Sequence, residues 1–200
     1  FKKISLEDRV MHDGGWQGDV PEGMSGKTLG VLGLGKLGSR VARVGLALEM
    51  EVIAWSENLT KDRCKEVGVS FAEKDALFAT SDVVSIHLVL SDRTRRLVGV
   101  HELSLMKSTA YLVNTSRGPI IDEAALIEAL TNETIAGAGL DVYDIEPLPK
   151  AHLLRTLKNA VLTGHTGYVV KELNALAYGE ALEDVSAWMQ GAPVRVLNAS

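Results

Sequence analysis

The chain has 200 residues, of which 46% are hydrophobic and 24% charged, and its formal net charge is −5 at pH 7. This composition is typical of a globular protein and argues against a disordered chain, and no apolar run is long enough to span a membrane. The negative charge argues against nucleic acid as a partner, because phosphate backbones bind basic surfaces. Cys64 is the only cysteine, so a disulfide framework and a cysteine-based zinc site are excluded and no metal site is expected.

Residues 1–24 contain the pieces GGWQG and PEGMSG and lack the regular alternation of the later sequence. We therefore predict that they form a connector. From residue 26 the sequence predicts a buried strand at Thr28–Leu32, a helix from about Lys36 to Glu49 and a second strand at Glu51–Trp55.

Three glycines separate the first strand from its helix. Gly33, Gly35 and Gly38 have the spacing G-x-G-x-x-G, in which the first permits a tight turn, the second lets the backbone approach a diphosphate and the third lets helix and strand pack closely. The N-terminus of the helix presents backbone N–H groups to that phosphate. The motif favours a dinucleotide site, with a purely structural turn or a methyltransferase-like loop as alternatives.

Strands and helices continue to alternate along the rest of the chain, which predicts a doubly wound parallel α/β sheet, the Rossmann fold, over residues 25–168. Residues 169–200 are predicted to form one long helix, from about 170 to 190, and a tail. The remaining predicted strands are residues 69–71, 82–88, 110–114, 135–141 and 160–163, and the remaining predicted helices are residues 61–67, 73–80, 100–107 and 122–131.

Three strand ends each supply a chemically useful side chain. Arg117 follows one strand in NTSRGPIID, Glu146 follows the next in DVYDIEPLP, and His165 follows the last in GHTGY. The carboxyl ends of parallel strands meet at one edge of a sheet, so these side chains are expected to converge. Each also has an ordinary structural interpretation: a loop tie for Arg117, a solvated acid for Glu146 and a turn residue for His165.

Together the three side chains fit the oxidation or reduction of a hydroxy acid. Arg117 can bind a carboxylate with its planar fork, and His165 can exchange the hydroxyl proton. Glu146 beside the histidine would favour the imidazolium form. His87, at the end of the fourth strand, is expected to line the cofactor cleft rather than to react.

The motifs GLGKLG, NTSRGPIIDEAAL, GAGLDVYDIEPLP and GHTGY, in this order, closely resemble the D-isomer-specific 2-hydroxyacid dehydrogenases. The resemblance covers nearly the whole chain. It implies an NAD(P)-dependent oxidoreductase that interconverts a D-2-hydroxy acid and a 2-keto acid. By resemblance, Arg117 binds the substrate carboxylate, Glu146 pairs with the histidine and His165 is the acid/base.

The resemblance also implies the cofactor contacts. The carried-over positions are Lys36, Leu37, Leu88, Thr94, Thr115 and Asp141. The other predicted cofactor-binding residues are the motif glycines Gly33, Gly35 and Gly38, together with Ser56, His87 and Gly167. A rival interpretation within the same family is an NAD-binding module without turnover, like the transcriptional corepressors or a truncated fragment. A methyltransferase that binds S-adenosylmethionine is the second rival, and it leaves the arginine, glutamate and histidine unexplained.

The sequence departs from the family pattern in three ways. The substrate-binding domain that precedes the connector in family members is not represented, and the connector and final helix are interpreted as the two crossings toward it. Gly164 replaces the proline that usually precedes the histidine, and Ser56 replaces the acidic residue expected after the second strand. Serine does not repel the extra phosphate of NADP, and Lys61 and Arg63 follow a turn later, but Glu57 partly offsets them. We therefore expect NAD, with NADP possible.

The partners implied are a small 2-hydroxy or 2-keto acid and a second copy of the chain in a homodimer. The cytoplasm is the expected compartment, since the cysteine usage fits a reducing environment. The identity of the hydroxy acid and the exact cofactor preference are beyond the sequence.

Overall fold

The computed structural model describes residues 4–18 and 20–197. In these ranges the strands form one seven-stranded parallel sheet in the order β3-β2-β1-β4-β5-β6-β7. The strands are β1 (Thr28–Leu32), β2 (Glu51–Trp55), β3 (Ser70–Phe71), β4 (Val83–Ile86), β5 (Tyr111–Asn114), β6 (Gly137–Leu140) and β7 (Ala160–Leu162). The helices are α1 (Ile4–His12), α2 (Lys36–Ala47), α3 (Lys61–Val67), α4 (Lys74–Thr80), α5 (Val100–Leu105), α6 (Glu123–Thr131) and α7 (Lys171–Met189).

The central strands are mostly apolar because helices cover both faces of the sheet. Val31 and Leu32 are neighbours in β1, are both fully buried and belong to different hydrophobic clusters. Successive residues of a strand point to opposite faces, so each face has its own core. Phe78 on α4 and Leu112 in β5 are fully buried in the larger cluster. The predicted doubly wound parallel fold is confirmed.

The order of the strands places a switch point beside β1. The chain runs outward from β1 through β2 to β3, then returns to β4 on the other side of β1 and continues to β7. Ligands of such sheets bind outside the carboxyl ends of the strands at this point. The glycine turn after β1 and the loop after β4 lie there.

The elements predicted from residue 28 onwards are present, and several end earlier than predicted. The predicted helix over residues 36–49 ends at Ala47, because Glu49 adopts a left-handed conformation with φ 60° and turns the chain into β2. The predicted strand over residues 82–88 ends at Ile86. His87 still donates its backbone N–H to Leu32 O at 2.7 Å before the chain leaves the sheet.

The helix α1 was not predicted, since residues 1–24 were interpreted wholly as a connector. Its large apolar side chains are exposed rather than packed in a core: Ile4 is 75%, Leu6 43% and Met11 51% exposed. The remaining described residues before β1, apart from turns, have no helix or strand.

The helix α7 confirms the long helix predicted over residues 170–190, and none of its residues is buried. Its exposed large apolar side chains are Leu173, Leu176, Tyr178, Leu182, Val185, Trp188 and Met189. None of the helices in the described ranges combines the length and apolar character needed to cross a membrane.

Gly38→Ala is expected to lower the free energy of unfolding by about 1–3 kcal/mol, because a Cβ there would collide with the backbone carbonyl oxygen of Gly33. Gly35→Ala is the matched control: a Cβ on Gly35 meets no atom within 4 Å, so the loss should stay below about 1 kcal/mol. Urea unfolding followed by circular dichroism measures both. Equal losses in the two variants would contradict the close packing at Gly38.

Candidate active site

The glycine turn after β1 has the geometry of an anion-binding turn. Gly33 has φ 96°, and a Cβ there would lie 2.7 Å from the carbonyl oxygen of His87, so only glycine fits. Gly35 faces open space at the N-terminus of α2. No side chain caps this helix and its first turn holds no acidic residue, so its free N–H groups are available to a diphosphate. Lys36 and Leu37, the first residues of α2, are exposed beside it.

The loop after β4 lies against this turn. His87 is half-buried, burial lowers its pKa, and its Nε2 lies 2.9 Å from Ser85 Oγ. Leu88 is half-buried and its side chain approaches Gly33. The Thr94 hydroxyl donates to Val89 O at 2.7 Å and accepts from the Ser91 N–H at 2.8 Å, so it closes its own loop.

The loop after β5 is fixed by its own polar side chains. Asn114 is 1% exposed, and its side chain accepts from the Ser116 N–H at 3.0 Å and donates to Arg117 O at 2.9 Å. Ser116 Oγ donates to Leu88 O at 2.5 Å, which joins this loop to the one after β4. Thr115 is exposed between them.

Arg117 is exposed at the tip of this loop, and its Nη1 donates to Ser116 O at 2.6 Å. The next residue, Gly118, packs directly on the backbone of Tyr143 and Asp144, where any Cβ would collide with the peptide. The loop of Arg117 is therefore pressed against the turn that carries Glu146. Their proximity is also electrostatic, since the charge of Arg117 helps to lower the Glu146 pKa.

Glu146 and His165 are paired across two strand ends. Glu146 Oε2 lies 2.6 Å from His165 Nδ1, and Glu146 Oε1 accepts the Tyr143 N–H at 2.9 Å. Burial raises the pKa of Glu146, but the hydrogen bonds from His165 and Tyr143 lower it more, so the net pKa is below its ordinary value. The glutamate is therefore ionised at neutral pH. The side chains are 33% (His165) and 35% (Glu146) exposed, so solvent and small molecules reach them.

The backbone of His165 is held in the left-handed region, with φ 57°. Such a conformation is costly for a residue with a Cβ and persists only where neighbours hold it. The ring of Tyr168 makes an edge contact with the imidazole at 5.6 Å between centroids.

Asp141 is the main anchor of the loop that carries His165. Its buried carboxylate accepts hydrogen bonds from Thr163 Oγ1 at 2.5 Å and from the N–H groups of Thr166 at 2.9 Å and Gly167 at 2.8 Å. Burial raises the pKa of Asp141, but these hydrogen bonds and the charge of His165 lower it more, and the net pKa is below its ordinary value of 3.8. Asp141 thus binds both sides of His165 in the chain.

Two cavities open at this edge of the sheet. One cavity, of about 460 Å³, lies beside the paired Glu146 and His165 and is also lined by Arg155. Another of about 440 Å³ lies at the carboxyl ends of β2 and β3, with Ser56 in its wall. Among residues 4–18 and 20–197, no group of three or more His, Cys, Asp or Glu side chains could hold a metal ion.

The sequence interpretation missed the side chains that position the site. Asn114 and Ser116 fix the loop of Arg117, and the Tyr143 hydroxyl donates to Leu140 O at 3.1 Å and Thr163 O at 2.8 Å. The run NTSRG contained a signal, because Asn and Ser side chains commonly bond to nearby backbone in turns. The tyrosine had no such signal for its bond to Thr163 O, which lies 20 residues further along the chain.

The comparisons with known proteins decide the family. Residues 1–167 match the family described as "D-isomer specific 2-hydroxyacid dehydrogenase, NAD binding domain". The chain belongs to this family. The predicted membership is confirmed, NAD as the cofactor of the family is confirmed with it, and the methyltransferase alternative loses its support.

Three similar proteins support this family membership. The glyoxylate reductase of Aeropyrum pernix is 45% identical over 168 residues, which are 84% of this chain and 50% of that protein. A D-3-phosphoglycerate dehydrogenase-like oxidoreductase from Ralstonia solanacearum superposes with TM-score 0.91 at 34% identity, over 98% of this chain and 61% of that one. The D-lactate dehydrogenase of Aquifex aeolicus, in complex with NAD and lactic acid, superposes with TM-score 0.83 at 29% identity, over 96% of this chain and 62% of that one. The chain thus spans about half the length of these curated relatives.

Asp141→Asn is expected to lower the free energy of unfolding at pH 7 by about 1–3 kcal/mol, because an amide replaces a carboxylate that accepts three hydrogen bonds. The folded-state pKa of Asp141 is lowered, so its stabilisation is present above its ordinary pKa of 3.8 and is lost as pH falls through the lowered value. The difference between the variant and the wild type should therefore shrink in strong acid.

Urea unfolding at a series of pH values measures this difference. The exposed Asp92, replaced by Asn in the same way, serves as the control and should change stability little at any pH. A difference between Asp141→Asn and wild type that stays constant down to strong acid would contradict an ionised anchor.

Proposed function

We propose that the chain is the NAD-binding half of an oxidoreductase that interconverts a D-2-hydroxy acid and a 2-keto acid. The observation that carries the proposal is the 2.6 Å pair between Glu146 and His165, at the same sheet edge as Arg117 and the glycine turn. The family match supports it, as does the neighbour from Aquifex aeolicus that holds NAD and lactic acid together.

The cofactor fits the cleft from the β2 side to the β7 side of this edge. The open space at Gly35 and the uncapped N-terminus of α2 suit the diphosphate, and the cavity beside Ser56 suits the adenosine. The nicotinamide then lies toward the ends of β4 to β7. The residues proposed to line its course are Lys36, Leu37, His87, Leu88, Thr94, Thr115, Asp141 and Gly167. Bound NAD supplies the acceptor for a hydride.

The polar side chains have separate roles in the proposed reaction. Arg117 binds the substrate carboxylate with two parallel N–H groups, for which its guanidinium must leave the Ser116 carbonyl. His165 donates its Nδ1–H to ionised Glu146, which leaves Nε2 as the atom that accepts the hydroxyl proton on oxidation and returns it on reduction. Glu146 keeps the imidazole in this tautomer.

We also propose how the chain sits within a longer polypeptide. Residues 1–24 form the connector, 25–168 the dinucleotide-binding domain, and 169–200 a segment that returns toward a substrate-binding domain. Two observations support this organisation: α7 buries none of its residues, and the chain covers only half of the glyoxylate reductase that it matches. Most of the pocket that distinguishes one hydroxy acid from another then belongs to that other domain.

In the polypeptide that contains this chain, His165→Gln is expected to lower kcat by about 10²–10⁴-fold, because the acid/base is removed. The Kd for NAD should change little, since the diphosphate and adenosine contacts remain. Loss of NADH absorbance with a panel of 2-keto acids measures turnover, and calorimetry measures binding. His101→Gln, on the exposed face of α5, is the control.

Full turnover in His165→Gln would remove this histidine from the mechanism. NAD binding with no turnover of any 2-keto acid by the wild-type polypeptide would instead favour a regulatory module of the same family.

A homodimer is the proposed assembly. The segment that follows the middle of α2 exposes three large apolar side chains, with Val44 59%, Leu46 38% and Leu48 45% exposed. Such exposed apolar residues are typical of association surfaces when they are contiguous. Light scattering is expected to give twice the 21.5 kDa mass of the chain, and a monomer at micromolar concentration would contradict the proposal.

A further inference from the structure

Ser56, one of the positions at which the sequence departs from the family pattern, lies in the wall of the cavity at the ends of β2 and β3. The cavity is lined by Trp55, Ser56, Glu57, Phe71, Glu73 and Lys74, among others. The glycine turn is fastened to it, because the Gly33 N–H donates to Trp55 O at 2.8 Å. In dinucleotide folds the adenosine ribose lies beside the end of the second strand, where an acidic residue binds the 2′-hydroxyl. Here that position holds Ser56, and a carboxylate, Glu57, follows it.

The charge of this cavity is negative. Glu57 and Glu73 are both exposed, and in the part of the chain that the structure describes neither side chain has a hydrogen bond or ion pair. Lys74 does not offset them, because its Nζ is bound to Glu102 Oε1 at 2.7 Å. Glu102 is itself held at the start of α5, where its other oxygen accepts the Gly99 N–H at 2.9 Å.

Two cations follow Glu57 in the sequence: Lys61, which is exposed at the first residue of α3, and Arg63, which is occupied. Arg63 on α3 forms an ion pair with Glu66 at 2.9 Å and donates to Ser39 Oγ at 3.1 Å. Ser39 lies in the first turn of α2, and its Oγ donates to Leu34 O at 3.1 Å. The guanidinium is thus held by α2 and α3 and balanced by a carboxylate of its own helix.

We propose that Glu57 determines the cofactor specificity of this cleft, in place of the acidic residue that Ser56 replaces. Its carboxylate accepts a hydrogen bond from an adenosine-ribose hydroxyl of NAD and repels the 2′-phosphate of NADP. This inference rests on the proposed function, since it concerns the adenosine end of the same cofactor site. Ser56 lacks the negative charge of the acidic residue that it replaces, and Glu57, the next residue in the chain, supplies that charge.

The size of the effect follows from the charges. A 2′-phosphate carries almost two negative charges at neutral pH. Two like unit charges at about 4 Å repel each other by about 1 kcal/mol even at the dielectric constant of water. This energy corresponds to about a fivefold difference in affinity. We therefore expect NAD to bind at least about tenfold more tightly than NADP at low salt. A charge effect of this kind must weaken as salt screens it.

Calorimetric titration of the 200-residue chain with NADH and with NADPH tests the proposal. In the wild type, NADPH should bind at least about tenfold more weakly than NADH, and in Glu57→Gln the ratio should fall to about threefold or less, mainly because NADPH binds more tightly. Raising the ionic strength from about 0.01 M to 1 M should narrow the ratio in the wild type and change it little in the variant. Glu128→Gln, an exposed carboxylate on α6, is the matched control and should keep the wild-type ratio.

An unchanged ratio in Glu57→Gln, or equal binding of the two dinucleotides to the wild type, would overturn the role of Glu57 while leaving the proposed function in place. A ratio that does not respond to salt would also overturn it, because the selection would then be steric. Binding of neither dinucleotide would contradict the proposed function itself, and the inference with it.

Discussion

The buried carboxylate of Asp141 is the interaction on which the geometry of the site depends. It stands at the end of β6 and binds three groups of the loop after β7, on both sides of His165. These bonds hold the histidine in a left-handed backbone conformation and direct its Nδ1 at Glu146. The residue before it, Gly164, contributes no rigidity of its own, so the placement of the imidazole relies on Asp141 and on the Tyr143 hydroxyl.

Parallel pairing explains why the remaining parts meet. Each strand ends at the same edge, so residues far apart in sequence become neighbours without a dedicated contact, and the loops after β4, β5 and β6 are then tied to one another. Ser116 joins the loop after β5 to the loop after β4 through the Leu88 carbonyl. Gly118 joins it to the loop after β6, because this glycine packs on the Tyr143 peptide. The NAD-binding domain thus brings these loops together at one edge of the sheet, and none of the residues of α7 is buried.

The sequence predicted the sheet and its helices because the apolar patterns of strands and helices are local properties. It predicted that Glu146 meets His165 because the carboxyl ends of parallel strands lie at one edge of a sheet. Helix α1 escaped prediction because it is nine residues long and the glycine-containing pieces that follow it favoured a connector, whereas the 19 residues of α7 repeat their apolar positions over several turns. The use of the Thr94 hydroxyl within its own loop, and of Asp141 as a loop anchor, depends on rotamers that tertiary contacts select. Neither can be deduced from residue type. The role of each candidate residue in catalysis remains a prediction.

A crystal structure of the longer polypeptide with NADH and oxamate, an unreactive analogue of a 2-keto acid, tests the central claim most directly. We expect both Arg117 Nη atoms to bind the oxamate carboxylate and His165 Nε2 to lie about 2.6–3.2 Å from its amide carbonyl oxygen, with Nδ1 still on Glu146. A complex in which the arginine stays on the Ser116 carbonyl, or in which the imidazole turns away from the analogue, would contradict it.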